Sequence, residues 1–183
     1  TYESPLWPSV GRGARVSTLC EGIKCTVIDE RMTRSILLEA PDASIALQVY
    51  QDLQRRFSEL QDQVAQTSRF AQLIQINRQI AGNLLYLRLA FTTGDAAGHN
   101  MVTKAADHLI PWILQEFPQL RYVSISGNFC SDKKATAVNG ILGRGKNVVA
   151  EMVIPRDLCE RRLRTTPELM VELNTKKNLI GTL

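Results

Sequence analysis

The chain lacks several residue patterns that commonly reveal a function. It has only two histidines, and its four cysteines form no CxxC pair, so the ligand spacing expected of a tetrahedral zinc site is absent. No apolar run approaches the roughly 20 residues that span a bilayer, and no signal peptide opens the sequence. We therefore expect reduced thiols, no bound metal, no membrane segment and a cytoplasmic location.

A strong excess of positive charge is also lacking. The 183 residues include 22 basic and 18 acidic side chains, which gives a formal net charge of +4. The Lys and Arg residues are scattered among the acidic ones, with no basic tract and no interleaved aromatic residues, which argues against nucleic-acid binding. Anionic small molecules are the better prediction, because arginine supplies the forked donors that phosphates need.

Hydrophobic periodicity predicts a regular order of elements in the middle of the chain. In order, the segments are a strand over 35–39, a helix of about 20 residues over 46–64, strands over 70–76 and 83–92, a helix from 100 to 117, and a strand over 120–126. Pro111 is expected to kink or restart the second helix. The order strand, helix, strand, strand, helix, strand is that of a ferredoxin-like α+β domain.

The flanking regions differ in character from this central part. Residues 1–35 are rich in Gly, Pro and Arg, which predicts loop plus short strands. Near the other end, we expect a short helix from Lys133, a strand over 147–154, and helices from Asp157 and Pro167.

The segment from Ser126 to Lys134 carries the densest set of charged and polar side chains. A strand ends in a Gly-Asn turn, and one carboxylate and two ammonium groups follow at Asp132, Lys133 and Lys134. Adjacent like charges repel, so a lysine pair beside a carboxylate suits an anionic ligand or a developing oxyanion. A solvated helix start is the alternative for these three residues taken alone.

Six further motifs accompany this segment and Gly143-Arg144-Gly145-Lys146. They are Thr1-Tyr2-Glu3, Arg12-Gly13-Ala14-Arg15, Met32-Thr33-Arg34, Thr67-Ser68-Arg69-Phe70-Ala71, Gly94-Asp95-Ala96-Ala97-Gly98-His99-Asn100-Met101 and Asn174-Thr175-Lys176-Lys177-Asn178-Leu179-Ile180-Gly181. Together, and in this order, they resemble class I 3-hydroxy-3-methylglutaryl-coenzyme A (HMG-CoA) reductases over nearly the whole chain.

The resemblance implies an NADPH-dependent oxidoreductase that converts HMG-CoA to mevalonate and free coenzyme A, in isoprenoid precursor synthesis. Each hydride transfer leaves negative charge on the former carbonyl oxygen, which needs a fixed cation and then a proton. By resemblance, Lys133 stabilises that oxygen and Glu3 donates the proton.

The resemblance also implies which residues contact the substrate. The hydroxymethylglutaryl portion would be held by Arg34, Ser126, Asn128, Asp132, Lys134 and Lys177. Coenzyme A would be held by Ser9, Arg12 and Arg15. Val10 and Gly11 stand where the family commonly has Thr and Asn, so one side-chain contact to the coenzyme is expected to be lost.

Two segments would hold NADPH. They are Ser68, Arg69 and Phe70, and then Asp95, Ala97, Gly98, His99, Asn100 and Met101. In the first, a hydroxyl and a guanidinium suit the 2′-phosphate; in the second, glycine allows close backbone approach at a helix start. The family commonly has Met where this chain has Ala97 and His99. The histidine either adds pH-dependent charge beside the cofactor or is simply exposed.

The family's domain organisation follows from the same resemblance. Residues 36–126 would form the small NADPH-binding domain, inserted between 1–35 and 127–183 of a larger, incomplete α/β domain. The family also needs an aspartate and a histidine that lie beyond Gly181, and an active site formed between the subunits of a dimer. We therefore expect these 183 residues alone to turn over little. The alternative is a non-catalytic ferredoxin-like module that binds a ligand or a partner.

Overall fold

A computed structural model describes residues 7–132 and 134–181, with the backbone only at 180 and 181. Contacts divide these residues into two compact units, Val27–Asn147 and the described residues 7–26 with 148–181. Helices and an antiparallel sheet are both present, so the expected α+β class is confirmed. Within the described residues, no helix is both long enough and apolar enough to cross a membrane.

The elements alternate along the chain. They are α1 (Trp7–Leu19), β1 (Lys24–Glu39), α2 (Ala43–Arg55), α3 (Phe57–Ala65), β2 (Gln72–Ala81), β3 (Leu84–Thr92), α4 (His99–Glu116), β4 (Arg121–Ile125), α5 (Ala137–Leu142), β5 (Gly145–Glu151), α6 (Arg156–Leu158) and α7 (Pro167–Gly181). A π-helical segment, Cys159–Leu163, follows α6.

The sheet has the strand order β2-β3-β1-β4, and β5 pairs with β1. In the antiparallel pairing of β1 with β3, Ile36 lies opposite Leu87 and Ser35 lies opposite Arg88. Because successive side chains point to opposite faces, Ile36 and Leu87 share one face, and Ser35 and Arg88 share the other. The first face carries the apolar core, which packs against α2, α3 and α4.

The second face of the sheet has a polar centre that is also buried. Thr33, Ser35 and Arg88 have essentially no solvent exposure. The loop after β4 covers part of this face, since a Cβ on Gly127 would lie 3.1 Å from Ser35 Oγ. Leu85, Leu87, Leu89 and Phe91 alternate with Leu84, Tyr86, Arg88 and Ala90, which is the pattern of a strand with one buried face. The complete burial of Arg88 and Ala90 shows that this interpretation is wrong for the centre of β3.

Residues 7–19 form α1, so the prediction of loop plus short strands is wrong for this segment. The glycines at 11 and 13, which suggested a loop, have open space around them and are tolerated in an exposed helix. Val16 is the buried residue of α1 and fixes its orientation within its unit. The strand predicted over 35–39 begins much earlier, at Lys24.

The long helix predicted over 46–64 is two helices that meet at Arg56. This residue leaves the helical conformation and pairs with Glu59 and with Glu116 of α4, at 2.6 Å and 2.8 Å. Its guanidinium also lies over the Trp112 ring, 4.9 Å from the centroid. The break therefore comes from contacts with another helix, which periodicity within one helix does not reveal.

Two further expectations about helices are corrected. The helix expected from Lys133 begins at Ala137, where Thr136 is the N-cap and its Oγ1 accepts a hydrogen bond from Asn139 N–H. Asp132 and Lys134 therefore precede the helix and do not belong to it. Pro111 lies inside α4, which continues to Glu116, so the expected restart is wrong and the alternative, a kink, stays a prediction.

Candidate active site

The loop after β4 has an unusual backbone. From Ser126 to Asp132, four non-glycine residues have φ between +43° and +68°, namely Ser126, Asn128, Ser131 and Asp132. Such conformations cost about 1–3 kcal/mol each and cluster at functional sites. Hydrogen bonds hold the loop, from Ser126 N–H to Ser35 O at 2.7 Å and from Ser131 N–H to Asn128 O at 3.0 Å. The fold therefore maintains a strained loop at the segment with the densest charge.

The buried thiol of Cys130 lies within this loop. Burial acts to raise the pKa of the thiol. Hydrogen bonds from the backbone N–H of Asp132, from the Ser126 hydroxyl and from the backbone at Ser35, with the charge of Arg34, outweigh burial and lower the pKa. The loop interior thus favours negative charge, as expected where backbone N–H groups converge.

Arg144 fixes the end of the same loop. Its side chain is only 6% exposed and pairs with the largely exposed Asp132, with 3.5 Å between Nη2 and Oδ1. Its Nε donates to Thr33 Oγ1 on the polar face of the sheet, at 3.2 Å. A buried guanidinium thus connects the sheet to the carboxylate of the loop.

A second arginine, Arg88, lies beneath this arrangement. Its Nη2 donates to Gly143 O at 2.7 Å. Its Nε and Nη1, and Ser35 Oγ opposite it, are buried without a hydrogen-bond partner among the described residues. Burial, together with the positive charges of Arg144 and Arg31, lowers the pKa of Arg88. The polar face of the sheet is therefore a region of concentrated positive charge.

Arg34, the predicted substrate arginine, is held by the first turns of α4. Its Nε and Nη2 donate to Thr103 Oγ1 at 2.9 Å and 2.6 Å. The same hydroxyl donates to His99 O at 2.8 Å. Arg34 is therefore connected through one side chain to a residue of the predicted cofactor segment.

The structure brings the two predicted cofactor segments together. A groove of about 390 Å³ is lined by Arg69, Phe70, Gly94 and Asp95, among others. The Arg69 guanidinium lies 4.7 Å from the Phe70 ring centroid, and Phe70 N–H donates to Ser68 Oγ at 3.1 Å. An exposed guanidinium and a nearby hydroxyl at the edge of a groove can bind a phosphate.

The second cofactor segment continues into another groove, of about 300 Å³, whose lining includes Ala97, His99 and Met32. Gly98 precedes α4 with φ of +82°, and a Cβ there would lie 2.4 Å from Thr93 Cγ2, so glycine is required. Next to it, Asn100 is exposed, and Met101 packs against the core.

The other compact unit contains an arginine-rich groove of about 740 Å³. Its lining residues are Trp7, Pro8, Gly11, Arg12, Arg15, Val16, Arg161, Arg162 and Arg164. Arg161 pairs with Asp157 at 2.6 Å. Predicted coenzyme A residues Arg12 and Arg15 lie here, whereas Ser9 is exposed on the same helix and does not line the groove. A cluster of guanidinium groups suits a ligand with several phosphates.

The remaining predicted residues are placed less specifically. Asn128 and Lys134 are exposed beside the loop, and Lys177 is exposed on α7 in the other unit. Glu3 and Lys133 lie outside the described residues, so their roles stay predictions. Across 7–132 and 134–181, no three His, Cys, Asp or Glu side chains gather in a way that could hold a metal ion.

Several residues of these sites were missed in the sequence. Thr103 and Arg88 act through contacts with distant segments, which no local pattern reveals, and the motif that contains Arg144 does not reveal its contacts with Thr33 and Asp132. The run Arg161-Arg162-Leu163-Arg164 was a visible signal, because three arginines in four residues are unusual in a chain of scattered charge.

Comparisons with known proteins agree with these observations. The hydroxymethylglutaryl-coenzyme A reductase family profile matches residues 1–183. The 3-hydroxy-3-methylglutaryl-coenzyme A reductase of Pyrococcus abyssi is 46% identical over 182 residues, which are 99% of this chain and 45% of that protein. The corresponding reductase 2 of Arabidopsis thaliana is 43% identical over 183 residues, 99% of this chain and 33% of that protein. The chain thus spans less than half the length of these relatives.

A solved structure shows the same fold. The class II reductase of Streptococcus pneumoniae, bound to NADPH in open conformations, matches 88% of this chain and 42% of its own with a TM-score of 0.65. Its sequence identity is 16%, so this likeness shows the fold alone. The profile match over the full sequence and the close relatives establish that the chain belongs to the hydroxymethylglutaryl-coenzyme A reductase family.

Proposed function

We propose that the protein is a class I HMG-CoA reductase, which reduces HMG-CoA to mevalonate and free coenzyme A with NADPH in isoprenoid precursor synthesis. The observation that carries this proposal is the grouping of Arg34, the strained loop and the two cofactor segments on one sheet. Archaeal and plant relatives at 46% and 43% identity favour class I.

In this proposal, the residues of the loop and of β1 hold the hydroxymethylglutaryl portion. Arg34 and Lys134 supply positive charge for its carboxylate, and Ser126 and Asp132 supply polar contacts. Lys133 stabilises the oxygen on which negative charge develops, because an ammonium is a compact charge with three donors. Glu3 donates the proton. The roles of Lys133 and Glu3 rest on the family resemblance.

NADPH fits the two grooves beside β3. The exposed Arg69 guanidinium and Ser68 hydroxyl are suited to its 2′-phosphate, and the left-handed Gly98 leaves room for close backbone approach. When bound, the cofactor supplies the hydride. The protein's own residues orient it through Arg69 and through the start of α4, whose backbone N–H groups favour phosphate.

Coenzyme A fits the arginine-rich groove. Arg12, Arg15, Arg162 and Arg164 line it without a charged partner among the described residues, so their charge is available to phosphate groups. The additional arginines offset the side-chain contact that the glycine at position 11 cannot make.

At the level of the whole protein, we propose that the βαββαβ part is the family's ferredoxin-like small domain, inserted between segments 1–35 and 127–183 of the larger domain. The strand order β2-β3-β1-β4 supports this. We also propose a dimer with the active site at the subunit interface, as the family resemblance implies.

Binding measurements on the 183-residue chain test the proposal. Calorimetric titration is expected to show saturable binding of HMG-CoA and, separately, of NADPH. Arg34→Gln is expected to weaken HMG-CoA binding by about tenfold or more, because a charged contact is lost, and to leave NADPH binding unchanged. Arg55→Gln, an exposed arginine on α2 paired with Asp52, is the matched control.

Turnover is measured separately, by the absorbance of NADPH and the release of free thiol. By the family resemblance, turnover also needs an aspartate and a histidine that lie beyond Gly181, so we expect NADPH oxidation by these 183 residues alone to be very slow. A chain that binds neither ligand would refute the proposed function and favour a non-catalytic module. Rapid turnover would refute the expected dependence on those two residues.

A further inference from the structure

Thr103 stands between the proposed substrate arginine and the proposed cofactor segment. It lies on α4, one helical turn after His99, and its hydroxyl donates to His99 O at 2.8 Å. Its oxygen lone pairs receive both Nε–H and Nη2–H of Arg34, at 2.9 Å and 2.6 Å. One hydroxyl therefore makes three hydrogen bonds and joins β1 to the start of α4.

The chemical nature of the acceptor that binds the Arg34 guanidinium matters, as a comparison with Arg31 shows. The same Nε and Nη2 edge of Arg31 is held by the two carboxylate oxygens of Asp29, at 2.6 Å and 2.9 Å. Asp29 neutralises Arg31, whereas the hydroxyl of Thr103 fixes Arg34 without cancelling its charge. A neutral acceptor leaves the outer edge of the guanidinium positive and oriented, which is the state that binds a carboxylate as a fork.

The hydrogen-bonded series from Arg34 through Thr103 ends at His99, which lies in a groove. His99 lines the groove of about 300 Å³ together with Ala97. A ligand that fixes this first turn of α4 also fixes the His99 carbonyl, which is the acceptor of the Thr103 hydroxyl. The position of Arg34 thus depends on the order of the cofactor segment.

We propose that Thr103 is a positioning residue that orients Arg34 for the substrate carboxylate and couples substrate binding to cofactor binding. This inference rests on the proposed function. Binding free energies that are coupled are reciprocal, so each ligand changes the affinity of the other by the same factor.

Calorimetry on the full chain tests the coupling. HMG-CoA is titrated with and without saturating NADP⁺, which replaces NADPH so that no hydride is transferred. We expect NADP⁺ to tighten HMG-CoA binding about fivefold in the unmodified chain. In Thr103→Val, which removes the hydroxyl but keeps the shape, HMG-CoA binding is expected to weaken and the coupling factor to fall to about one. Thr103→Ser is expected to retain both.

Two controls separate positioning from a general effect on the helix. Thr18 also donates its hydroxyl to the carbonyl four residues earlier, at 3.0 Å, and Thr18→Val is expected to change neither affinity nor coupling. In an Arg34→Gln background, Thr103→Val is expected to have no further effect on HMG-CoA affinity, because the residue it orients is gone.

The outcomes are distinct. Coupling that persists in Thr103→Val, or an equal loss of affinity in the Arg34→Gln background, overturns the inference while leaving the proposed function intact. Binding of both ligands without any coupling in the unmodified chain overturns it too. If the unmodified chain binds no HMG-CoA, the proposed function fails, and this inference fails with it.

Discussion

Two buried arginines on the polar face of the sheet illustrate how single residues support the site. Arg88 donates a hydrogen bond to the Gly143 carbonyl. Arg144, which follows Gly143 in the chain, donates to Thr33 and pairs with Asp132. Arg88 has no solvent exposure and the Arg144 side chain is only 6% exposed, so both arginines serve mainly to place other groups. Asp132 itself is largely exposed and depends on this support for a fixed position.

Arg144→Met is therefore expected to raise the KM for HMG-CoA about tenfold, in a protein that turns over, and the KM for NADPH by a smaller factor, because Arg144 also lines the groove of about 300 Å³. The methionine fills the buried volume but cannot pair with Asp132. Arg144→Lys retains the positive charge but not the forked donors. Its KM for HMG-CoA should therefore lie between that of the unmodified protein and that of Arg144→Met. Equal effects on both KM values would show a general loss of structure instead. Arg55→Met, on the helix-covered side, serves as the control.

At this scale, motifs in the sequence suggest ligand residues but not the residues that support them. Arg34 and Asp132 stand in recognisable motifs, and their roles as ligand residues stay predictions. Thr103, Arg88 and Arg144 were not predicted, because each acts through a segment between 55 and 111 residues away in the chain. Such contacts exist only after folding.

At the scale of elements, the start of α4 depends on a glycine that allows close packing. The left-handed Gly98 lies within the second cofactor segment, immediately before α4, and its missing side chain makes room for Thr93. Gly82 has a similar positive φ of +59°, yet nothing lies within 4 Å of a Cβ placed there. A comparison of substitutions at these two glycines therefore separates the cost of backbone strain from the cost of a steric clash.

Gly98→Ala is expected to destabilise the protein by about 2–3 kcal/mol, and Gly82→Ala by about 1 kcal/mol. Only the first should also weaken NADPH binding, since only it displaces the cofactor segment. Thermal unfolding and titration with NADPH measure the two effects. Equal destabilisation by both substitutions would show that the contact with Thr93 contributes nothing.

Strand and helix types were predictable in the sheet-forming part, but several boundaries were not. The break at Arg56 arises from ion pairs and stacking with α4, and α1 forms despite its glycines. In both cases tertiary contact overrides local propensity, which is a weak determinant on its own.

For the whole molecule, the main feature is the distribution of positive charge over separate sites. The net charge is only +4, yet the groove near α1 is lined by five arginines. The domain boundaries inferred from the family resemblance stay a prediction. The two compact units divide after Thr26 and after Asn147, and β1 and β5 both cross these points. No change in composition marks such a division.

Arg164→Gln is expected to weaken binding of free coenzyme A about tenfold and to leave NADPH binding unchanged. The effect should shrink as ionic strength rises, because salt screens exposed charges. Arg156→Gln removes an exposed arginine of the same unit that is already paired with Glu160 and Glu168, and should have little effect. Comparable losses in both variants would contradict a specific phosphate site.

The register of β1 constrains how this protein can vary. Arg34 faces α4, and its neighbours Thr33 and Ser35 face the loop, so adjacent positions serve opposite sides of one strand. A one-residue insertion or deletion before Arg34 would exchange every side chain between the two sides. It would place a guanidinium under the loop and a hydroxyl against the helix. A single substitution in this strand affects one side of the sheet, whereas a change in its length disrupts both sides at once.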